Sequence, residues 1–418
     1  MRSLSIALAL ALAPAFGLCA QDTTLTRILV ANRHTVSLAD GRLAGDGGRL
    51  LVDEGKKARF FLVGEEHGVA QTPQVVQALL RELRPAGYNT LAIEISPLQG
   101  QRINALSGRA GSDAALDSLM ATWYSSIPFY TLAEERAMLA STLRPSGDAA
   151  PMRIWGLDYD VSADRFYLRE LETLAPPSGK AAVRRARESA DSGFAMTFSQ
   201  HNPSKLFAWS APDSVFTALR AAFGGTIPAR ARDIIDLFER TARINRLFLS
   251  GRGYESNLMR SQFMRENLAK ALAASEHQQP APRVLFKFGG SHMMRGWNYT
   301  NTLDLGTAAT IVAEGRGERA FNLLVLGGAG SKSSRMNILS GQYEPTGKPE
   351  VELPFTTWLL PALARSGWSL FDMGAVRREY LSGGSTLNAA QDRFLHAYDA
   401  ILVLTGSTPG TVRPLAIR

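Results

Sequence analysis

The sequence predicts an α/β fold with a mostly parallel central sheet, helices on both faces and a helical cap inserted into it. Short apolar runs that end in glycine or a charged residue alternate along the chain with amphipathic stretches of helical length. The clearest runs are Phe60–Val63, Tyr88–Ile95 and Arg283–Phe288. Runs this apolar are expected of parallel strands that are covered on both faces.

The first twenty residues have the features of a secretory signal. Arg2 precedes an apolar run over residues 4–12, and Ala15 and Ala20 are candidate cleavage sites. We therefore expect residues 1–20 to be removed and the protein to be exported, to the periplasm or the extracellular space.

Residues 21–418 are expected to form one α/β domain, because 45% hydrophobic content is ample for a core. The only cysteine, Cys19, precedes Ala20, so cleavage there leaves no thiol for disulfides or metal sites. No later run approaches the ~20 apolar residues of a membrane span. The net charge of +8 comes from bases scattered among acids, without a stacking platform. We therefore expect no nucleic-acid partner.

The first βα unit begins with the strand Phe60–Val63, and a short hairpin around Leu50–Val52 is predicted before it. Thr72 is suited to cap the helix that follows. Glu65 and His67 fall in the loop between the strand and this helix. In open α/β sheets ligands bind beyond the carboxyl ends of the strands, where these two residues are expected.

The later elements repeat this pattern. Tyr88–Ile95 and Met152–Asp160 are the second and third predicted strands, with helical pieces between them. The stretch of about 163–276 contains no convincing strand and is expected to form the helical cap. The remaining predictions are strands at Arg283–Phe288, Ala308–Glu314, Phe321–Leu326 and Ala400–Leu404, and a helix around Thr357–Ala364.

Four of the predicted strands end in titratable residues, namely Glu65 with His67, Glu94, Asp158 and His292. In a parallel sheet these ends share one edge, so we expect one site. Two imidazoles and three carboxylates suit the activation of water by a general base. Each residue also has a structural alternative: Glu65 as a helix cap, Asp158 as a partner of turn amides, or Glu94 paired with Arg260.

The last helix of the cap, about Tyr254–Ala274, supplies further candidates. Arg260, Met264 and Asn267 are spaced i, i+4, i+7 and therefore share one face of this helix. A cation there is suited to stabilise an oxyanion together with a second imidazole. Ser291, beside His292, is a candidate hydrogen-bond donor.

With these motifs the chain resembles the erythromycin esterase-like family, within a wider group that includes the haem-binding ChaN-like lipoproteins and the TraB and Tiki proteins. The matching segments are Gly64-Glu65-Glu66-His67-Gly68, Glu94, Gly156-Leu157-Asp158, the Arg260, Met264 and Asn267 helix, His292, Tyr398–Leu404 and Arg413-Pro414. One departure concerns Glu66, which alone separates Glu65 from His67. The esterases have two residues there, and the spacing in this chain is nearer the ChaN-like form.

The resemblance implies a hydrolase for ester bonds in a small-molecule substrate, with His67 as general base and no required cofactor. We interpret Glu65 or Glu94 as orienting groups and His292 with Arg260 as oxyanion stabilisers. Asp158, Asn267 and Ser291 are predicted substrate contacts.

Two alternatives remain open at this stage. One is a metal-dependent hydrolase of the TraB and Tiki type, in which His67, Glu65 and His292 would hold a divalent ion. The other is a non-enzymatic protein that binds haem or a metal, as the ChaN-like resemblance allows.

Overall fold

The computed structural model describes residues 23–122, 126–145, 150–200, 202–278, 280–337, 342–345, 348–383 and 387–413. The predicted signal, residues 1–20, lies outside these ranges, as does Pro414 of the predicted tail motif. The α-helices of the described ranges are α1 (Thr23–Ala31), α2 (Gly45–Lys57), α3 (Gln71–Leu83), α4 (Pro97–Asn104), α5 (Ser112–Thr122), α6 (Ala133–Thr142), α7 (Asp164–Leu174), α8 (Lys180–Gln200), α9 (Phe207–Ser210), α10 (Asp213–Ala221), α11 (Ala229–Leu249), α12 (Gly253–Ala273), α13 (Leu305–Glu314), α14 (Met373–Ser382) and α15 (Ala389–Ala397). The strands are β1 (Arg33–Ala39), β2 (Arg42–Ala44), β3 (Phe60–Glu65), β4 (Tyr88–Ile93), β5 (Arg153–Gly156), β6 (Arg283–Gly289), β7 (Ala320–Gly327), β8 (Ser334–Asn337), β9 (Gln342–Pro345), β10 (Trp368–Asp372) and β11 (Ala400–Leu404).

Nine strands form one sheet in the order β2-β1-β10-β11-β7-β3-β6-β4-β5, while β8 and β9 form a separate hairpin. The six strands from β11 to β5 are parallel, and β10, β1 and β2 extend the sheet with antiparallel pairs. The predicted mostly parallel central sheet is therefore confirmed.

Strand β3 lies between β7 and β6, and every one of its residues is buried. Its side chains alternate between the two faces of the sheet, as the pleat requires. Phe61 and Val63 pack in one apolar cluster with Leu79 of α3, and Leu62 packs on the other face with Met264 of α12. Helices thus cover both faces, which explains why this strand contains no alternating polar residues.

In the stretch 163–276, where a helical cap is predicted, the regular elements described are the α-helices α7 to α12 and a short 3-10 helix, Pro203–Lys205. These helices enclose an apolar cluster of their own that includes Tyr167, Phe216 and Phe238. Helix α12 also contacts the sheet through Met264. In the described part of the chain, no helix has both the length and the apolar character needed to cross a membrane.

The prediction of a strand at Ala308–Glu314 is wrong, because this segment belongs to helix α13. Asp304 begins the helix, its carboxylate accepting from the backbone N–H of Leu305 at 2.8 Å. The buried residues Leu305, Ala309 and Ala313 recur every four positions, a helical period that a short apolar run conceals.

The predicted hairpin around Leu50–Val52 is also wrong, since these residues belong to α2. Its glycines allow close packing: a Cβ on Gly47 would lie 2.6 Å from Val36 Cγ2. Thr72 is not the cap of α3, which begins at Gln71 after Ala70 without a side-chain cap. The predicted helix around Thr357–Ala364 is a 3-10 helix that ends at Ala362.

Candidate active site

The end of β3 presents two functional groups at the carboxyl edge of the sheet. Glu65 is the last residue of the strand and is buried, whereas the His67 side chain keeps 29% of its surface exposed. His67 Nδ1 lies 2.9 Å from Glu65 Oε1. Gly68 then turns the chain away with φ +79°, and a Cβ there would lie 1.9 Å from the carbonyl oxygen of Ser334. Only glycine fits this turn.

Glu94, just beyond β4, lies at the centre of the site. Its Oε2 accepts from the backbone N–H of Gly289 at 2.7 Å, and its Oε1 accepts from Arg260 Nη2 at 2.8 Å. His67 Nε2 is 3.5 Å from Oε2, and His292 Nε2 is 3.5 Å from Oε1. One carboxylate therefore links both imidazoles and the guanidinium.

Asp158 fixes the orientation of Arg260. The guanidinium donates from Nε at 3.0 Å and from Nη2 at 2.5 Å to the two carboxylate oxygens of Asp158, which is the bidentate geometry that arginine favours. The ring of Tyr159 lies 4.7 Å from the same guanidinium. Asp158 is thus engaged in positioning the cation.

His292 is delivered by the 3-10 turn Gly290–Met293, which directly follows β6. Its Nδ1 lies 2.8 Å from Asp304 Oδ2, which also accepts from Ser261 Oγ at 2.8 Å. Burial opposes the charge on this imidazole, but the carboxylates of Asp304 and Glu94 outweigh it and raise the pKa of His292 to about 10. At neutral pH this histidine is therefore a cation.

Burial and nearby carboxylates also have opposite effects on the pKa of His67. Burial opposes its protonation, yet Glu94 and Glu65 together raise the pKa of the imidazole above its ordinary value. The pKa of the Glu94 carboxyl lies well below its ordinary value, because the neighbouring His292, His67 and Arg260 outweigh its burial. Since ionised Glu65 can only accept, Nδ1 of His67 must carry a proton, and Nε2 is the atom that gains or loses one.

Sequence reasoning missed several residues of this neighbourhood. Lys287 of β6 is fully buried and donates from Nζ to Glu65 at 2.6 Å and to Glu135 of α6 at 2.8 Å. The available signal was a lysine within the apolar run of β6. Phe129 stacks on His67 with ring centroids 4.3 Å apart, and its φ of +71° is rare for an aromatic residue. No sequence pattern indicates that stacking.

The two remaining predicted substrate contacts differ in placement. Ser291 Oγ is buried beside His292 and has no hydrogen-bond partner among the described residues. Asn267 instead donates its side-chain amide to the carbonyl oxygen of Leu157 at 2.9 Å and so ties α12 to the segment after β5. It also lines a cavity of about 690 Å³ beside β5, whose lining does not include His67 or His292. We therefore assign Asn267 a structural role.

The residues proposed to hold a metal are each engaged with other side chains. Glu65 Oε1 is already shared by the Lys287 ammonium and by His67 Nδ1, so two donors rather than an ion face it. His292 uses Nδ1 for Asp304 and directs Nε2 at Glu94. Within the described ranges, no group of three or more histidine, cysteine or acidic side chains is arranged to hold a metal ion.

The structure thus brings Glu65, His67, Glu94, Arg260 and His292 into one connected cluster. Glu65 lies 2.9 Å from His67, and Glu94 lies within 3.5 Å of His67, Arg260 and His292. The His67 imidazole faces Oε2 of Glu94, and the two cations Arg260 and His292 face Oε1. Such an arrangement can accept a proton at His67 Nε2 and stabilise developing negative charge at Arg260 and His292.

No protein-family model and no curated protein matches this chain. Solved structures do match. A mutant of erythromycin esterase EreC in its open conformation is 15% identical, with a TM-score of 0.58 over 92% of this chain and 99% of that chain. A Bacillus cereus protein is 13% identical, with a TM-score of 0.58 over 94% of this chain and 99% of that chain.

A succinoglycan biosynthesis protein is 12% identical, with a TM-score of 0.57 over 95% of this chain and 100% of that chain. The structure of ChaN of Campylobacter jejuni with cofacial haem has a TM-score of 0.31 over 70% of this chain, too low a likeness to bear on haem binding here. At these identities the likeness concerns fold. The resemblance drawn from the sequence is confirmed at that level: the chain has the α/β fold of erythromycin esterase EreC.

Proposed function

We propose that this protein is an exported, esterase-like hydrolase in which His67 activates water. The observation that carries the proposal is the placement of His67, whose Nδ1 is held by Glu65 at 2.9 Å while Nε2 faces the cluster. A general base must have one nitrogen fixed as a donor and the other free to accept a proton. Residues 21–418 would act as one domain, with the cap of 163–276 carrying Arg260 to the site.

In the proposed reaction, water attacks the carbonyl carbon of a small-molecule ester and passes a proton to His67 Nε2. The carbonyl oxygen becomes an oxyanion, which Arg260 and the protonated His292 stabilise. Collapse of the tetrahedral intermediate expels the alcohol oxygen, which takes the proton back from His67. The products are a carboxylic acid and an alcohol. Glu94 orients both imidazoles, and Ser291 is a candidate donor to the substrate.

This role explains why cations and carboxylates alternate in the cluster. Asp158 and Asp304 hold Arg260 and His292 from behind, so the faces of the two cations that point to Glu94 remain directed into the site. A raised pKa at His67 also makes its neutral form a stronger base. Hydrolysis is therefore expected to increase with pH, as the imidazole loses its proton.

The test is His67→Ala, assayed with a panel of p-nitrophenyl esters that differ in acyl chain. Loss of the general base is expected to lower kcat/KM about 100- to 10,000-fold. The matched control is His396→Ala, because His396 is exposed and its ring pairs with Asp392, one turn away on α15. Circular dichroism and thermal unfolding should be unchanged in both variants.

Full activity in His67→Ala would overturn the assignment of His67 as the general base. If the wild type hydrolysed none of the esters, the proposed esterase activity would be wrong. Repeating the wild-type assay after chelation tests the metal-dependent alternative, for which activity should disappear. Titration with haem tests the binding alternative, through a shift of the Soret band.

A further inference from the structure

Two buried charged residues behind the proposed base, Lys287 and Glu135, have no part in the reaction just described. Lys287 is 0% exposed, and its ammonium lies between Glu65 Oε1 at 2.6 Å and Glu135 Oε1 at 2.8 Å. The ring of Tyr130 lies 5.0 Å from the same ammonium. An ammonium taken fully out of water costs several kcal/mol unless its partners compensate. Lys287 therefore depends on the two carboxylates, and they depend on it.

The cluster is connected to His67 by a single atom. Glu65 Oε1 accepts from Lys287 Nζ and also lies 2.9 Å from His67 Nδ1. The charges therefore form a line of Glu135, Lys287, Glu65 and His67, with alternating sign when the imidazole is protonated. A change of charge at either of the first two members must alter the field at the imidazole.

We propose that Lys287 and Glu135 are positioning residues that set the protonation state of His67 through Glu65. Lys287 aligns Glu65 and its positive charge opposes the proton on His67, while Glu135 offsets part of the lysine charge, so that the imidazole loses its proton within the working pH range. This inference rests on the proposed function, because it concerns the residue assigned there as the base.

The other charged groups near His67 come from separate elements and are left intact by the test. They are Glu94 beyond β4, Glu350 on its 3-10 turn, Glu66 next in sequence, and Arg260 and His292 across Glu94. Arg335 lies 3.9 Å from Glu66 and 3.5 Å from Glu350 and is also unchanged. Because all these residues are the same in every variant, a difference between variants originates at Glu135 and Lys287.

The first variant is Glu135→Gln. The amide keeps the shape of the side chain and an oxygen to accept from Lys287, but its negative charge is gone. Burial raises the pKa of the Glu135 carboxyl to about 7, so its charge is present mainly in the upper part of the acid limb. Without that charge Lys287 opposes the proton on His67 more strongly, so the acid limb of the kcat/KM profile should move to lower pH by roughly half a unit.

The second variant combines Lys287→Met with Glu135→Gln. It removes the cation and leaves Glu65 as an unshared carboxylate against His67 Nδ1. The proton on the imidazole is then stabilised, so the acid limb should move to higher pH by about one unit. Opposite shifts from two variants that both weaken the same buried cluster are not expected of a purely structural role.

The matched control is Glu54→Gln, which removes a surface carboxylate paired with Lys57 and Arg319 and should leave the acid limb in place. The proton on His67 is also followed directly by NMR titration of its ring nitrogens. That readout does not need hydrolysis, so it separates a failure of this inference from a failure of the proposed function. Shifts in the same direction, or no shift in either variant, would overturn the inference.

Discussion

The protonated state of His292 makes a specific prediction about stability and pH. The buried ring, with 14% of its side chain exposed, pairs with Asp304 at 2.8 Å and lies 3.5 Å from Glu94. Burial works against the charge and the carboxylates outweigh it, so the pKa is about 10 in the folded protein, compared with its ordinary value of 6.5. A proton is therefore bound more tightly by the folded chain than by the unfolded chain.

The size of the effect follows from this difference in pKa. Each pKa unit corresponds to about 1.4 kcal/mol, so the charge on His292 contributes at most about 5 kcal/mol to the free energy of unfolding. The contribution is complete below the unfolded pKa of about 6.5 and is lost as pH rises through the folded pKa of about 10. At pH 8 about 3 kcal/mol should remain, and at pH 10 less than ~0.5 kcal/mol.

The assay is urea unfolding of the wild type and of His292→Gln at about pH 6, pH 8 and pH 10. Other groups titrate over this range in both proteins, so the informative quantity is the difference in unfolding free energy between the two. That difference should shrink by several kcal/mol from pH 6 to pH 10. A difference that stays constant would refute the reasoning, because it would mean that the folded chain does not hold the ring as a cation.

Two further predictions concern glycine and asparagine positions around the site. Gly289→Ala places a Cβ 2.8 Å from His67 Nε2, so the imidazole must move; kcat/KM should fall about 100-fold while the thermal unfolding temperature changes little. Asn267→Ala removes the donor to the Leu157 carbonyl, so unfolding in urea should show a loss of about 1 to 2 kcal/mol. In that variant the acid limb of the pH profile should not move, and a shift there would contradict the structural role of Asn267.

Much of the central sheet was predictable because buried parallel strands leave a strong sequence signal. The predicted runs Phe60–Val63 and Arg283–Phe288 lie within β3 and β6, and Ala400–Leu404 is β11. Those strands are covered on both faces, so most of their residues are apolar; Lys287 of β6 and Glu65 at the end of β3 are exceptions. Residues Ala308–Glu314 show the limit of the signal, because an apolar run of seven residues fits a buried helix equally well.

The strands β1, β2 and β10 at one side of the sheet have a weaker hydrophobic pattern in the sequence. These strands pair with antiparallel neighbours, and much of β1 is exposed, so their residues are mixed in polarity. None of the predicted strands falls on these three segments. Which strands pair there depends on contacts between distant segments, and local patterns do not record those contacts.

In the candidate site, the positions of the residues along the strands were predictable from the sequence, but their contacts were not. The apolar runs predict that Glu65, His67, Glu94 and His292 lie at or just beyond strand ends, and a parallel sheet brings such ends to one edge. What each of them contacts depends on how distant segments pack: both imidazoles approach the Glu94 carboxylate, and the bidentate partner of Arg260 is Asp158.

The same holds for Lys287 and Glu135, which contact Glu65 behind the base, and for Asn267, whose amide donates to the Leu157 carbonyl. These contacts could not be predicted because they join residues that are far apart in the sequence. A strand or helix is encoded by the spacing of neighbouring residues, whereas Lys287 and Glu65 are separated by 222 residues and meet only because β3 and β6 pair side by side.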